Sequence, residues 1–250
     1  MNKIALITGA TSGIGRACAI SLAKEGYHII ATGRREQRLK ELKADLDPKV
    51  DYHYLVFDVR DRKAVEYAIG TLEGKWRDID VLINNAGNAH GLDAIDEGNV
   101  DDWDAMMDIN VKGLLYVSKQ IMPIMRERKS GHIINIGSIA AKEVYPNGNV
   151  YCASKHAVDA LTKGMRLDLT KYGIKVTGIH PGLVETEFSV VRFKGDEERA
   201  KTVYEGFDPL KAEDIADIVN FVVTRPKHVA LTDITVLAGE QANSTTVYRK

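Results

Sequence analysis

Cysteine is nearly absent from this chain. Its 250 residues hold two, Cys18 and Cys152, and seven scattered histidines that nowhere pair at ligand spacing. That pattern excludes a metal module, so no metal is expected, and it fits a reducing cytoplasm. An excess of either charge is also missing. With 34 Lys+Arg against 35 Asp+Glu, the chain has no basic footprint for nucleic acid. No apolar run is long enough to cross a bilayer, and the opening stretch 1–8 is too short for the apolar region of a signal sequence. Linkers, repeats and low-complexity tracts are absent as well. What is present is a hydrophobic content of 44%, enough for a sizeable core. The expectation is one domain spanning 1–250 that works on a small molecule, with no nucleic acid and no membrane as partner.

Short apolar runs alternate with longer helical patterns almost to the end. Strands are expected at 4–8, 28–32, 54–57, 81–84, 132–136, 175–179 and 234–237. Most are continuously apolar rather than alternating, as in strands buried on both faces. Helical periodicity falls at 16–25, 35–46, 62–73, 100–128, 150–172 and 212–224. Such alternation implies right-handed crossovers. The fold class is therefore α/β: a doubly wound parallel sheet of Rossmann type, about seven strands, with helices on both faces. The aperiodic stretch 183–209 stands apart, and a loop of that length in a domain is expected to be a substrate lid.

Thr8-Gly9-Ala10-Thr11-Ser12-Gly13-Ile14-Gly15 joins the first strand to the first helix. Its glycines allow a tight turn and a close backbone approach to a diphosphate, and the following helix supplies amides and partial positive charge. The second strand ends in Gly33-Arg34-Arg35, with no acid to receive a ribose 2′-hydroxyl. Two guanidinium groups suit a 2′-phosphate instead, which favours NADP over NAD. Asp58, beside Val59, is placed to accept from an adenine amino group or to cap the next helix. Asn84-Asn85-Ala86-Gly87 ends the fourth strand with small and amide side chains, suited to a backbone passing beside a cofactor.

Ser138 follows the buried strand 133–136 at its C-terminal end, where open α/β sheets place ligands. Tyr151 and Lys155, four residues apart, share a helix face. A phenol has an ordinary pKa of about 10, and a nearby ammonium favours its ionised form. Ser138 is placed to hydrogen-bond a substrate oxygen. The pattern is that of a nicotinamide-dependent oxidoreductase.

These motifs together, with Pro181-Gly182, resemble the short-chain dehydrogenases/reductases over nearly the whole chain. The resemblance implies a seven-stranded Rossmann-type domain, assembled as a homotetramer or homodimer. It implies Tyr151 as acid/base, Lys155 as the group lowering its pKa and binding the nicotinamide ribose, and Ser138 as the orienting hydroxyl. Asn110 is implied to support a water that relays protons to Lys155. Pro181, Gly182, Leu183, Val184 and Thr186 are implied to run along the nicotinamide, with Phe188 beside them. Within the family, Ala31-Thr-Gly-Arg-Arg35, Gly148-Asn-Val-Tyr151 and the stretch from Thr186 to Asp196 look like the NADP-dependent 3-hydroxy acid dehydrogenases, also described as serine or L-allo-threonine dehydrogenases. Arg192, flanked by Val191 and Phe193, is then the expected partner of a substrate carboxylate, with Lys194 the second choice. A broad NADPH-dependent carbonyl reductase and a non-enzymatic NADP-binding protein are the alternatives. Cys152, His180, Trp103, Met106 and Met107 read as packing, and 245–250 as a tail or an oligomer contact.

Overall fold

Ile4, Ala5, Leu6 and Ile7 are all buried, yet they serve two different cores. Ala5 and Ile7 join one hydrophobic cluster, Ile4 and Leu6 the other. Successive strand side chains point to opposite faces, so a strand covered on both sides reads as an unbroken apolar run. The computed structural model describes residues 3–250; Met1 and Asn2, at the head of the stretch 1–8, lie outside the described residues.

The chain runs β1 (Ile4–Ile7), α1 (Gly13–Lys24), β2 (His28–Gly33), α2 (Glu36–Leu42), β3 (Tyr52–Val56), α3 (Arg62–Gly70) and β4 (Ile79–Asn84). It continues through α4 (Val100–Met107), α5 (Leu114–Arg128), β5 (Gly131–Ile136), α6 (Asn149–Leu169) and β6 (Ile174–Pro181). It ends with β7 (Val184–Glu185), α7 (Phe188–Arg192), α8 (Glu197–Thr202), β8 (Leu210–Lys211), α9 (Ala212–Val223) and β9 (Asp233–Val236). Seven strands form one sheet in the order β3-β2-β1-β4-β5-β6-β9, and every pairing is parallel. Side chains of α1, α2 and α9 fill the core on one face; those of α3, α5 and α6 fill the other. This is the Rossmann-type doubly wound α/β fold. The order reverses between β1 and β4, and the strand ends there open the crevice in which such sheets hold ligands.

All seven expected strands are present, with ends displaced by two residues at most. Two expectations need correction. The stretch 100–128 is not one continuous helix: a π-helical segment, Asp108–Gly113, separates α4 from α5 and carries Asn110. Single π turns inside α-helices are rare and concentrate at functional sites. The stretch 183–209 is not structureless either. It holds β7, α7 and α8, and β7 pairs in parallel with β8. Helices of five and six residues are shorter than the windows in which a 3.6-residue period can be read.

Candidate active site

The glycine turn is fixed from below by one hydroxyl and one amide. Thr8 Oγ1 accepts from the backbone amides of Asn85 and Ala86, at 3.0 Å each. Asn85 Nδ2 donates to Thr8 O at 2.9 Å and Gly9 O at 3.3 Å. The end of β4 is thereby clamped under the β1–α1 turn. Gly9 and Gly13 have φ of 67° and 50°, the left-handed region that glycine adopts without cost. A Cβ on Gly15 would stand 2.5 Å from both Gly9 O and Asn85 Nδ2, so helix α1 reaches the turn only because that position is glycine.

Above this turn lies a cleft of about 550 Å³. Gly9, Thr11, Ser12, Gly13, Ile14, Asn85, Ala86 and Gly87 line its floor. Arg34, Arg35, Asp58 and Val59 line one end; Ser138, Tyr151, Lys155, Pro181, Gly182, Leu183, Val184, Thr186, Phe188, Arg192 and Phe193 line the other. Three residues expected at the site do not reach the cleft. Ala10 is 0% exposed, its amide bonded to Thr32 O at 3.0 Å. Gly15 is pressed against Gly9, and Asn110 is 2% exposed behind the wall.

At the charged end, Arg35 is heavily engaged. Its Nε and Nη2 donate to Thr11 Oγ1 at 3.0 and 2.8 Å, and Nη2 also reaches Ser12 Oγ at 2.7 Å. Its Nη1 pairs with Glu187 at 2.9 Å. Arg34 stands more loosely, 3.6 Å from Asp58. Asp58 does not cap α3. Its carboxylate accepts from the backbone and guanidinium of Arg60, while Asp61 takes the cap, accepting from Ala64 N at 3.0 Å. Burial raises the Asp58 carboxyl, but Arg60 and Arg34 outweigh it and leave the group below its ordinary range.

At the other end, α6 brings Tyr151 and Lys155 to the C-terminal tips of β5 and β6. Lys155 is buried, and its Nζ donates to Ile136 O at 3.1 Å. Desolvation pushes its pKa down to about 8. Tyr151 is buried as well, and burial raises its phenol well above the ordinary value. Nearby Tyr145 pushes in the same direction; the Ser138 hydroxyl and the charge of Arg192 pull against it. Lys155 Nζ is 6.0 Å from the Tyr151 ring centre. Lys155 and Arg192 thus bring two cations to within about 6 Å of the Tyr151 ring centre. Asn110 holds the loop after β4: its Oδ1 accepts from Asn88 N at 2.9 Å, and its Nδ2 donates to Asn88 O at 2.8 Å and to Ser154 Oγ at 3.0 Å.

Arg192 ends α7 and turns back into the cleft. Its Nε donates to Gly91 O at 3.1 Å and its Nη1 to the Tyr145 hydroxyl at 3.2 Å. The guanidinium carbon lies 5.7 Å from the Tyr145 ring centre and 5.6 Å from that of Tyr151. Its Nη2 is buried with no hydrogen-bond partner. Lys194 is engaged elsewhere, paired with Asp102 at 2.8 Å.

Sequence reasoning did not find Tyr145, Glu187, Tyr204 or Gln241, all of which line the cleft. Gln241 Oε1 accepts from Leu183 N at 2.9 Å and so pins the strand-end segment from 58 residues away. No local pattern marks such a residue. His180 stands just outside the cleft, 1% exposed, with neither ring nitrogen hydrogen-bonded although Nε2 lies 3.7 Å from both Asp159 and Asp233, and burial holds its pKa down at about 4. Among the described residues, one cluster has metal-like spacing, Asp159, His180 and Asp233. There the Lys142 ammonium bridges the two carboxylates at 2.9 and 2.5 Å, and Lys163 adds a second ammonium to Asp159 at 2.6 Å.

Comparison with known proteins gives a consistent result. The family model described as short chain dehydrogenase matches residues 3–197. The NADP-dependent 3-hydroxy acid dehydrogenase of Salmonella typhi is 46% identical over 240 residues, 96% of each chain. Sulfoacetaldehyde reductase 2 of Chromohalobacter salexigens is 42% identical over 243 residues, 97% of this chain and 96% of the relative. Among solved structures, the closed form of serine dehydrogenase complexed with NADP+ superposes with a TM-score of 0.92 at 42% identity, covering 99% of this chain and 100% of that one.

Proposed function

The chain belongs to the short-chain dehydrogenase family, and on that premise we propose that it is an NADP-dependent alcohol dehydrogenase acting on the β-hydroxyl of 3-hydroxy acids. The observation that carries the substrate class is the orphaned Arg192 Nη2, a buried guanidinium donor beside the Tyr151 ring. Leaving a charged donor unpaired away from water is costly, and a carboxylate oxygen satisfies it. A relative that reduces a sulfonated aldehyde fits the same logic, since a sulfonate presents similar oxygens. Simple 3-hydroxy carboxylates, serine, L-allo-threonine and 3-hydroxyisobutyrate are the candidate substrates.

The residues present fit the dinucleotide. Gly9 and Gly13 supply left-handed turn positions, the first residues of α1 line the cleft floor, and Arg34 and Arg35 stand where an acid would select NAD. When bound, NADP supplies the hydride acceptor, and NADPH the donor. The protein's own share is positioning and proton transfer. Arg192 grips the carboxylate and so fixes the β-carbon relative to Tyr151. Ser138 hydrogen-bonds the reacting oxygen, and Tyr151 takes the hydroxyl proton in oxidation or returns it in reduction. With its pKa raised by burial, Tyr151 is protonated at neutral pH, the form required for reduction. The Lys155 ammonium, largely protonated below about pH 8, faces the same cleft and provides positive charge when the phenol ionises.

The test is Arg192→Ala assayed by NADPH absorbance on an anionic substrate and on an uncharged ketone. The kcat/KM for the hydroxy acid should fall at least about tenfold, roughly 1.4 kcal/mol, while the ketone rate hardly changes. Tyr151→Phe should lose both by about 100-fold or more while still binding NADPH. If Arg192→Ala lowers both rates in proportion, α7 has collapsed and the carboxylate assignment fails.

A further inference from the structure

Glu187 lines the cleft and turns its carboxylate to the charged end. Its carboxylate is divided between two guanidinium groups, accepting from Arg35 Nη1 on Oε2 at 2.9 Å and from Arg38 Nη1 on Oε1 at 2.5 Å. The Nε and Nη2 donors of Arg35 rest on the Thr11 and Ser12 hydroxyls of the glycine turn. The side chain expected to read a 2′-phosphate is thus already holding an anion. That anion belongs to the residue immediately before α7, the helix that ends in Arg192. Asp58, the other acid lining the cleft, is held by Arg60 and Arg34 and leaves Arg35 alone.

Resting on the NADP reading above, we propose that Glu187 is a specificity-determining residue for the cofactor, an internal anion that competes with the 2′-phosphate for Arg35. An arriving phosphate meets a guanidinium whose Nη1 already serves a carboxylate, with that like charge beside it. Glu187 yields Arg35 and stays on Arg38, so Arg38 serves as the alternative partner that keeps the exchange inexpensive. A cofactor without the phosphate brings nothing to displace Glu187, and the Arg35 pair persists. Glu187 therefore lowers the affinity for NADP(H) without touching that for NAD(H), which limits how tightly the spent cofactor is retained. All three side chains are partly exposed, at 43 to 45%. The effect has the size of an exposed ion pair, large enough to tune affinity and too small to abolish it.

The experiment measures Kd for NADPH and NADH by nicotinamide fluorescence in the parent, in Glu187→Gln, in Arg38→Gln and in the double variant. Glu187→Gln should tighten NADPH about two- to fivefold, the range of an exposed ion pair, and leave NADH unchanged. Arg38→Gln should weaken NADPH alone, because Glu187 then bears wholly on Arg35, and should do nothing in the Glu187→Gln background. The unchanged NADH value reports that each variant is folded. If Glu187→Gln leaves NADPH affinity the same or lower in a chain that prefers NADPH, the competition is refuted. Arg38→Gln weakening NADPH equally in both backgrounds also overturns it, because Arg38 then touches the phosphate itself. A parent chain binding NADH as tightly as NADPH would instead sink the cofactor reading from which the proposal starts.

Discussion

Lys155 shows what a buried residue costs and what it returns. An ammonium in the unfolded chain has a pKa near 10.4, and in place it is held at about 8. The unfolded chain therefore binds more protons between those values. Stability rises with pH through that window, and the penalty for the buried charge is fully present below about pH 8. Its size is on the order of 3 kcal/mol. Lys155→Met should remove this dependence. Urea midpoints at pH 7.5 and 9.5 should show the parent gaining on the variant as pH rises; a gap that stays constant across those pH values would mean that the ammonium sits in place without penalty. The spacing of Tyr151 and Lys155 is visible in the sequence, but the burial that sets both pKa values is not. Arg192 illustrates the same limit from the other side. Its position in the stretch after Pro181-Gly182 was legible, whereas its orphaned Nη2 and its place near two tyrosine rings depend on Gly91 and Tyr145 from other parts of the chain.

At the scale of elements, the π segment Asp108–Gly113 matters most. It places Asn110 so that its single amide group clamps both backbone atoms of Asn88 and the hydroxyl of Ser154 in α6. The loop after β4 and helix α6 are thereby joined through one side chain. Asn110→Ala would leave the buried Asn88 amide unpaired, at about 1–3 kcal/mol. We expect a fall of that size in unfolding free energy by urea titration, together with a drop in kcat from the displaced loop. A variant of parental stability would show that solvent replaces the clamp. A second buried network ties the sheet to the same helices: Asn84 donates to Ser118 Oγ at 2.9 Å and Asn135 Oδ1 at 2.8 Å, and Asn135 donates to Thr162 Oγ1 at 2.9 Å. Hydrophobic periodicity located the helices and strands that these amides connect. It missed the π turn, because six residues are too few to show a period of their own. The short helices between 183 and 209 escaped for a related reason, being too brief to show a period.

At the scale of the whole molecule, the layered fold leaves apolar side chains on outer helix surfaces. Leu167 on α6 is 82% exposed and Leu115 on α5 is 36% exposed, both large and uncovered by this chain. Single exposed apolar residues are common. Together with the assembly that the family resemblance implies, however, they mark α5 and α6 as the face to test. Light scattering should give a mass that is a multiple of 27.6 kDa. Leu167→Glu should shift it toward that unit mass without loss of secondary structure, because burying an unpaired carboxylate in an interface is costly. A parent chain already at 27.6 kDa would remove the homodimer and homotetramer from consideration.

The sequence by itself determined the succession of strands and long helices, the parallel sheet and the glycine turn after β1. Each of these rests on local physics: apolar runs of the right length, and backbone conformations that only glycine at Gly9 and Gly13 adopts freely. It also placed Tyr151, Lys155 and Ser138 near one another, since all three fall at strand ends or at a helix start on the ligand side of the sheet. Only the tertiary structure decided which groups meet there. Glu187 reaches Arg35 across 152 residues, Arg192 reaches Gly91 across 101, and Gln241 reaches Leu183 across 58. Desolvation, orphaned donors and shared ion pairs are properties of such meetings. They arise when distant segments exclude water together, and no single segment carries them in its own sequence.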